Sequence, residues 1–227
     1  MSHQLNITRI KAVYDALEEM VSEVIFVGGA TVSLYTDRPS GETRPTDDID
    51  ILIELAHYTH YAAIEEKLRK KGFVNDVESG VICRYIINGI TVDVMPTSEK
   101  ILGFANRWYT EAFSHAIDID IDDGYRIKIF SSPYFIATKL EAYKNRGQND
   151  GRTSADFEDI VFVLNNRITV WQELADATEN LKVYLKAEFK GLLSQPYIDE
   201  WISSHLDYHE QRRVNFIIGS MDEFVEH

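Results

Sequence analysis

The stretch Val24–Leu55, VIFVGGATVSLYTDRPSGETRPTDDIDILIEL, constrains this chain more than any other, and Ile90-Thr-Val-Asp-Val94 answers it later. It reads as a short apolar strand, a Gly-Gly turn opening a helix, a polar loop, and a second strand with alternating aspartates. Residues i and i+2 of a strand share a face. Asp48 and Asp50 therefore point one way while Ile49, Ile51 and Ile53 point the other. The later strand repeats the plan, with Ile90, Val92 and Val94 apolar and Asp93 opposite. Three carboxylates gathered together cannot all stay ionised without a cation. Oxygen donors of this kind suit Mg2+, or Mn2+, completed by water and substrate phosphates.

The rest of the chain is expected to build a frame around these strands. Thr8 is placed to cap a helix over Arg9–Ser22, with Ile10, Val13, Leu17 and Met20 or Val21 as its apolar stripe. Val24–Val27 reads as a buried strand, the segment after Gly28-Gly29 as about two helical turns ending near Tyr35, and Asp37–Pro45 as loop. Strands are expected over Asp48–Glu54, Val81–Ile87 and Ile90–Val94, and a helix over Tyr58–Lys71. Asn88-Gly89 between alternating runs signals a two-residue hairpin turn. That turn sets the register: Ile87 opposite Ile90, Tyr85 opposite Val92, Arg84 opposite Asp93. Arg84 then serves either as a cross-strand ion pair or as a cation steering phosphate.

Asp118-Ile-Asp-Ile-Asp-Asp-Gly124 imitates the start of a calcium loop, but Asp123 stands where glycine is needed and Ile129 where glutamate is needed. It reads instead as a strand entering a turn, followed by a strand over Tyr125–Phe130. Beyond Ser131 the pattern turns helical, with segments at Pro133–Arg146, Ser154–Asn165, Val170–Thr178 and onward. The expected class is α/β of the α+β kind: a mixed-sheet core over residues 1–130, then a helical region over 131–227 that contributes to the active-site cleft.

With 227 residues there is length for one large or two small domains. No apolar run reaches the roughly 18–20 residues of a membrane span. The start of the chain carries no basic-then-apolar pattern, so no secretion signal is expected and the cytoplasm is the default compartment. Cys83, the one cysteine, sits in VICRYII as a core thiol. The net charge of −14 disfavours non-specific DNA binding, which needs a basic surface. A small-molecule, RNA or protein acceptor, or a basic partner, fits better. His57 and His60 read as surface residues, and Trp108, Trp171 and Trp201 as core.

A Gly-Gly turn lets backbone amides approach an anion, and the helix it opens directs its positive end there. Neither this turn nor a D-x-D strand is specific alone. Together with a third aspartate on a neighbouring strand they make the parts of a two-metal phosphoryl-transfer site. The helix Pro133–Arg146 adds a second set of charges. Phe135, Ile136, Leu140, Ala142 and Tyr143 define its inward face, with Lys139 and Arg146 in the middle of it. Each cation there needs an anion, and Asp156 and Asp159 on the next helix are the candidates. The cluster is either a buried ionic lock or a site where Lys139 meets a nucleotide triphosphate.

The pattern VGG at 27–29, DIDI at 48–51 and VDV at 92–94 resembles that of the DNA polymerase beta-type nucleotidyltransferases. Arg44, Thr46, Asp48 and Asp50, then Lys139-Leu-Glu-Ala142 with Arg146, and Asp156-Phe-Glu-Asp-Ile160, resemble the AbiEii-type members, many of them toxins of bacterial toxin–antitoxin pairs. The resemblance covers about residues 24–165. It implies transfer of a nucleoside monophosphate from an NTP to a hydroxyl of an RNA or protein target, with a cognate antitoxin as partner. It also implies that Asp48, Asp50 and Asp93 hold the metals and, with Lys139, are catalytic. Gly28, Gly29, Thr31, Arg44, Thr46, Lys139, Arg146, Asp156 and Asp159 would bind the nucleotide. Ala30 departs from the pattern where many members place a hydroxyl, and Thr31 and Ser33 lie nearby. The alternatives are a small-molecule nucleotidyltransferase of the aminoglycoside-modifying kind and a non-enzymatic nucleotide-binding module.

Overall fold

The structure is a computed structural model that describes residues 2–38, 43–55, 58–147 and 150–227. Its chain divides into two compact units: Met1–Leu34 with Glu42–Ser131, and Tyr35–Gly41 with Ser132–His227.

The first unit is a mixed sheet with helices. Its strands are β1 (Val24–Val27), β2 (Asp48–Ile53), β3 (Val74–Asn75), β4 (Arg84–Ile87), β5 (Ile90–Pro96), β6 (Ile117–Asp122) and β7 (Tyr125–Ile129). They lie in the order β3-β4-β5-β2-β1-β7-β6. The pairs β2–β5 and β1–β7 are parallel and the remaining four antiparallel. All four residues of β1 are buried, as expected of a central strand covered on both faces. Helix α1 (Ser2–Leu17) packs on β2 and β5 through Ile10, Val13 and Leu17, all fully buried. Helices α2 (Tyr58–Lys70), α3 (Glu99–Leu102) and α4 (Tyr109–Ser114) complete the unit.

The hairpin follows the expected register: Arg84 opposite Asp93, Tyr85 opposite Val92, Ile87 opposite Ile90. Its turn residues Asn88 and Gly89 both take positive φ (51° and 76°), as the tight hairpin turn requires. Helix α1 differs from expectation. It starts at Ser2, and Thr8 is no cap; its hydroxyl bonds the Gln4 carbonyl one turn back at 2.8 Å. The α-helix also stops at Leu17, where Glu18 turns to a φ of 51° and a 3-10 segment, Glu18–Glu23, takes over. Residues before Arg84 form turns rather than strand, and β3, α3 and α4 were not foreseen. Cys83 is buried, His60 is exposed, and His57 lies outside the described residues.

The second unit is helical: α5 (Ser132–Arg146), α6 (Ala155–Asn166), α7 (Val170–Ala175), α8 (Glu179–Leu193), α9 (Ile198–Ser203) and α10 (Arg213–Glu226). Helix α5 packs on α6, α7 and α8, and α10 on α8 and α9. The segment from Tyr35 joins this unit rather than the sheet. Tyr35 stacks on Phe135 with ring centroids 4.5 Å apart. Arg38 donates to the Asn165 carbonyl at 2.9 Å and to Glu210 at 2.7 Å. Trp201 is buried in this unit and Trp108 in the first, as expected, but Trp171 is only half-buried. Among the described residues, no helix is long and apolar enough to cross a membrane.

Candidate metal centre

Strands β2 and β5 lie side by side in parallel with Asp50 paired to Asp93, so the aspartates of the two strands emerge on one face. Carboxylate oxygens of Asp48, Asp50 and Asp93 fall within 4.8 Å of one another. Two oxygens on one octahedral Mg2+, each about 2.1 Å from it, stand about 3 Å apart when adjacent and about 4 Å when opposed. An all-oxygen set of this spacing fits a hard divalent ion, and the half-buried carboxylates leave room for water and phosphate ligands.

The Gly-Gly turn is built against this cluster. Val27 pairs with Asp50 across β1 and β2, which places Gly28 over the Asp50 carboxylate. A side chain at Gly28 would put its Cβ 1.9 Å from Asp50 Oδ2, and the φ of +73° already favours glycine. Gly29 is tight for a related reason, since a Cβ there would press on the Arg44 guanidinium and the Thr46 methyl group. Arg44 and Thr46 thus lie against the turn. Thr46 is buried, its hydroxyl bonded to Asn6 Oδ1 at 3.3 Å and its carbonyl accepting from Arg9. Neither Asn6 nor Arg9 was singled out from the sequence. The fully buried polar Asn6 on the apolar side of α1 was the available signal.

A 3-10 helix, Gly29–Tyr35, follows the turn. Thr31 is fully buried and its hydroxyl donates to the Gly28 carbonyl at 2.9 Å, which shapes the turn. Ser33 is likewise committed, bonded to His3 Nδ1 at 2.8 Å.

Arg84 enters the cluster directly. Its Nε and Nη2 donate to the two oxygens of Asp93, each at 2.8 Å, and Nη2 reaches Asp48 Oδ2 at 3.4 Å. The fork-to-fork bond holds the guanidinium more firmly protonated than usual, with Asp93 the main cause. Three carboxylates and one guanidinium leave a net charge of −2, which one divalent ion would balance. Burial, with help from the Asp93 charge, pushes the neighbouring Cys83 thiol up to about 11, which suits an inert core residue.

Lys139, Arg146, Asp156 and Asp159 form a cluster of their own in the helical unit. Lys139 Nζ lies 3.1 Å from Asp156 and 2.6 Å from Asp159, all three side chains being buried. Arg146 shares the face of Lys139 and bonds the same Asp156 at 2.6 Å, but as the last residue of α5 it is 70% exposed and meets that carboxylate from the solvent side. Burial tends to raise the Asp156 carboxyl, but Arg146 and Lys139 outweigh it and hold its pKa below the usual carboxylate range. Asp156 also occupies the first turn of α6, where the helix dipole favours a negative charge, behind the Ser154 cap. Within this unit the cluster ties α5 to α6.

The chain matches no protein-family model and no curated protein. The family resemblance therefore rests on the motif residues themselves.

Proposed function

We propose that the chain is a divalent-metal-dependent nucleotidyltransferase that moves a nucleoside monophosphate from an NTP to an acceptor hydroxyl. The observation that carries this reading is the meeting of Asp48, Asp50 and Asp93 on adjacent parallel strands, with a Gly-Gly turn packed on Asp50. Asp48, Asp50 and Asp93 are the residues that would hold Mg2+, which bound there would neutralise phosphate charge and acidify the acceptor hydroxyl.

The remaining work falls to the chain. The Gly28-Gly29 amides and Arg44 take the β- and γ-phosphates of the NTP. The acceptor oxygen forms a bond to the α-phosphorus as the bond to the β-phosphate oxygen breaks. Its proton passes to Asp93, and pyrophosphate leaves. Asp93 can act so only once Arg84 has let go of both its oxygens. Arg84 is thus the counter-ion of the metal-free cluster and, displaced, a phosphate ligand. Lys139 belongs to the ionic cluster of the helical unit, where Asp156 and Asp159 hold it.

The resemblance favours an RNA or protein acceptor and a toxin held by an antitoxin. The net charge of −14 favours a cationic small acceptor as the second reading. Asp93→Asn tests the chemistry. It should abolish transfer while far-UV circular dichroism stays that of the parent; retained turnover would remove Asp93 from the mechanism.

A further inference from the structure

Helices α7, α8 and α10 line a half-open pocket of about 520 Å³ that none of the chemistry above uses. Its size falls among small-molecule sites, which run to about 300–1,000 Å³. The walls are of two kinds. Trp171 of α7 and Phe216 and Phe224 of α10 supply aromatic surface. Beneath them the fully buried Phe189 meets Trp171 edge-on at 6.4 Å and Phe224 at 5.7 Å, fixing both rings. Lys182 and Lys186 supply charge from successive turns of α8, one helical repeat apart.

As is also true of Lys100, Lys128 and Lys190, among the described residues no carboxylate forms an ion pair with either lysine. Both are half-buried, and Lys186 Nζ lies 5.7 Å from the centre of the Phe224 ring. Half of Phe216 stays exposed, with the Arg213 guanidinium 4.7 Å from the centre of its ring. Glu223 and His227 also line the pocket, and Ser220 and Gln172 add neutral polar groups.

We infer that this cavity is a second ligand site, for a small molecule that joins a planar aromatic ring to one anionic group, a phosphate or a carboxylate. The ring lies against Trp171, Phe216 and Phe224, and the anion meets Lys182 and Lys186. A ring alone would use neither lysine, and an anion alone would leave the aromatic surface in water. The inference is independent of the nucleotidyltransferase reading, because it uses no residue of the aspartate cluster.

The test is a titration of the full chain followed by the indole N–H resonances of Trp108, Trp171 and Trp201, the Trp171 signal being identified by Trp171→Phe. The probes are adenosine 5′-monophosphate and indole-3-acetate, with adenosine, indole and inorganic phosphate as controls. EDTA and an Asp48→Ala/Asp50→Ala background keep nucleotide off the aspartate cluster. At least one aromatic anion should shift the Trp171 resonance at concentrations where its uncharged parent and phosphate do not. A response to the monophosphate alone names a phosphate ligand, and one to the acetate a carboxylate. Lys182→Ala/Lys186→Ala should weaken that binding about ten-fold or more, the loss expected for charge-assisted bonds, with the circular dichroism unchanged. No shift of Trp171 with any probe, equal binding by the uncharged parents, or equal binding by the double variant would overturn the inference.

Discussion

Replacing Arg84 by methionine separates the counter-ion from the cluster it neutralises. Methionine keeps much of the aliphatic stem but removes the guanidinium. The Asp93 side chain is 13% exposed and Arg84 25%, so the pair lies between a buried bridge and a surface one. Breaking a buried pair costs about 3–5 kcal/mol and an exposed one under about 1, which places this one near 2 kcal/mol. For a chain of this size that lowers the melting temperature by about 4–8 °C in EDTA. Metal binding should move the opposite way. The cluster goes from a net charge of −2 to −3, and one extra charge about 4 Å from a divalent ion contributes about 2 kcal/mol even at the dielectric constant of water. Mn2+ should then bind roughly thirty-fold more tightly to Arg84→Met than to the parent, read by calorimetric titration. Added metal should accordingly raise the melting temperature of the variant more than that of the parent. An unchanged melting temperature in EDTA together with unchanged Mn2+ affinity would refute the view that guanidinium and metal compete for one place.

Other outcomes follow from the same geometry. Gly28→Ala drives a Cβ into Asp50 at a φ that disfavours it, so it should weaken Mn2+ binding by about ten-fold or more. Gly29→Ala should do less, because its Cβ meets Arg44 and Thr46 and no carboxylate of the cluster; equal effects would contradict the packing of Asp50 on Gly28. Asp156 titrates below the usual carboxylate range in the folded chain, so its stabilising contribution is full above its unfolded pKa of about 3.9 and is lost as pH falls through the lower folded value. Asp156→Asn should cost about 1–3 kcal/mol at neutral pH and flatten the acid side of the urea-denaturation profile; an identical acid profile would exclude Asp156 as its source.

The sheet was legible because its signals are local and mutually consistent. Asn88-Gly89 fixes one register, and that register alone puts Arg84 beside Asp93. The alternation of Asp48, Asp50 and Asp93 then predicts a shared face, which the parallel pairing of β2 and β5 provides. The start of α1 was not legible, since Thr8 has the chemistry of a cap but lies mid-helix. Its end was hidden too, because a positive φ at Glu18 leaves no mark in the composition. Elements as short as β3 and α3 carry too few residues for a period to show. Arg146 finds Asp156 as its spacing from Lys139 predicts, but the end of α5 at that residue, which leaves it exposed, is not marked in the sequence. The buried fate of the Thr31 hydroxyl depends on the Gly28 carbonyl it meets, a three-dimensional fact that its place after a glycine turn does not reveal.

The most direct measurement is transfer itself. The chain is incubated with each of the four α-labelled ribonucleoside triphosphates, Mg2+ and bacterial lysate, beside an Asp48→Ala/Asp50→Ala control. Label passing into RNA, protein or a small molecule with the intact aspartates, and lost in the control, is the predicted result. No transfer and no Mg2+-dependent nucleotide binding in the intact chain would contradict the account.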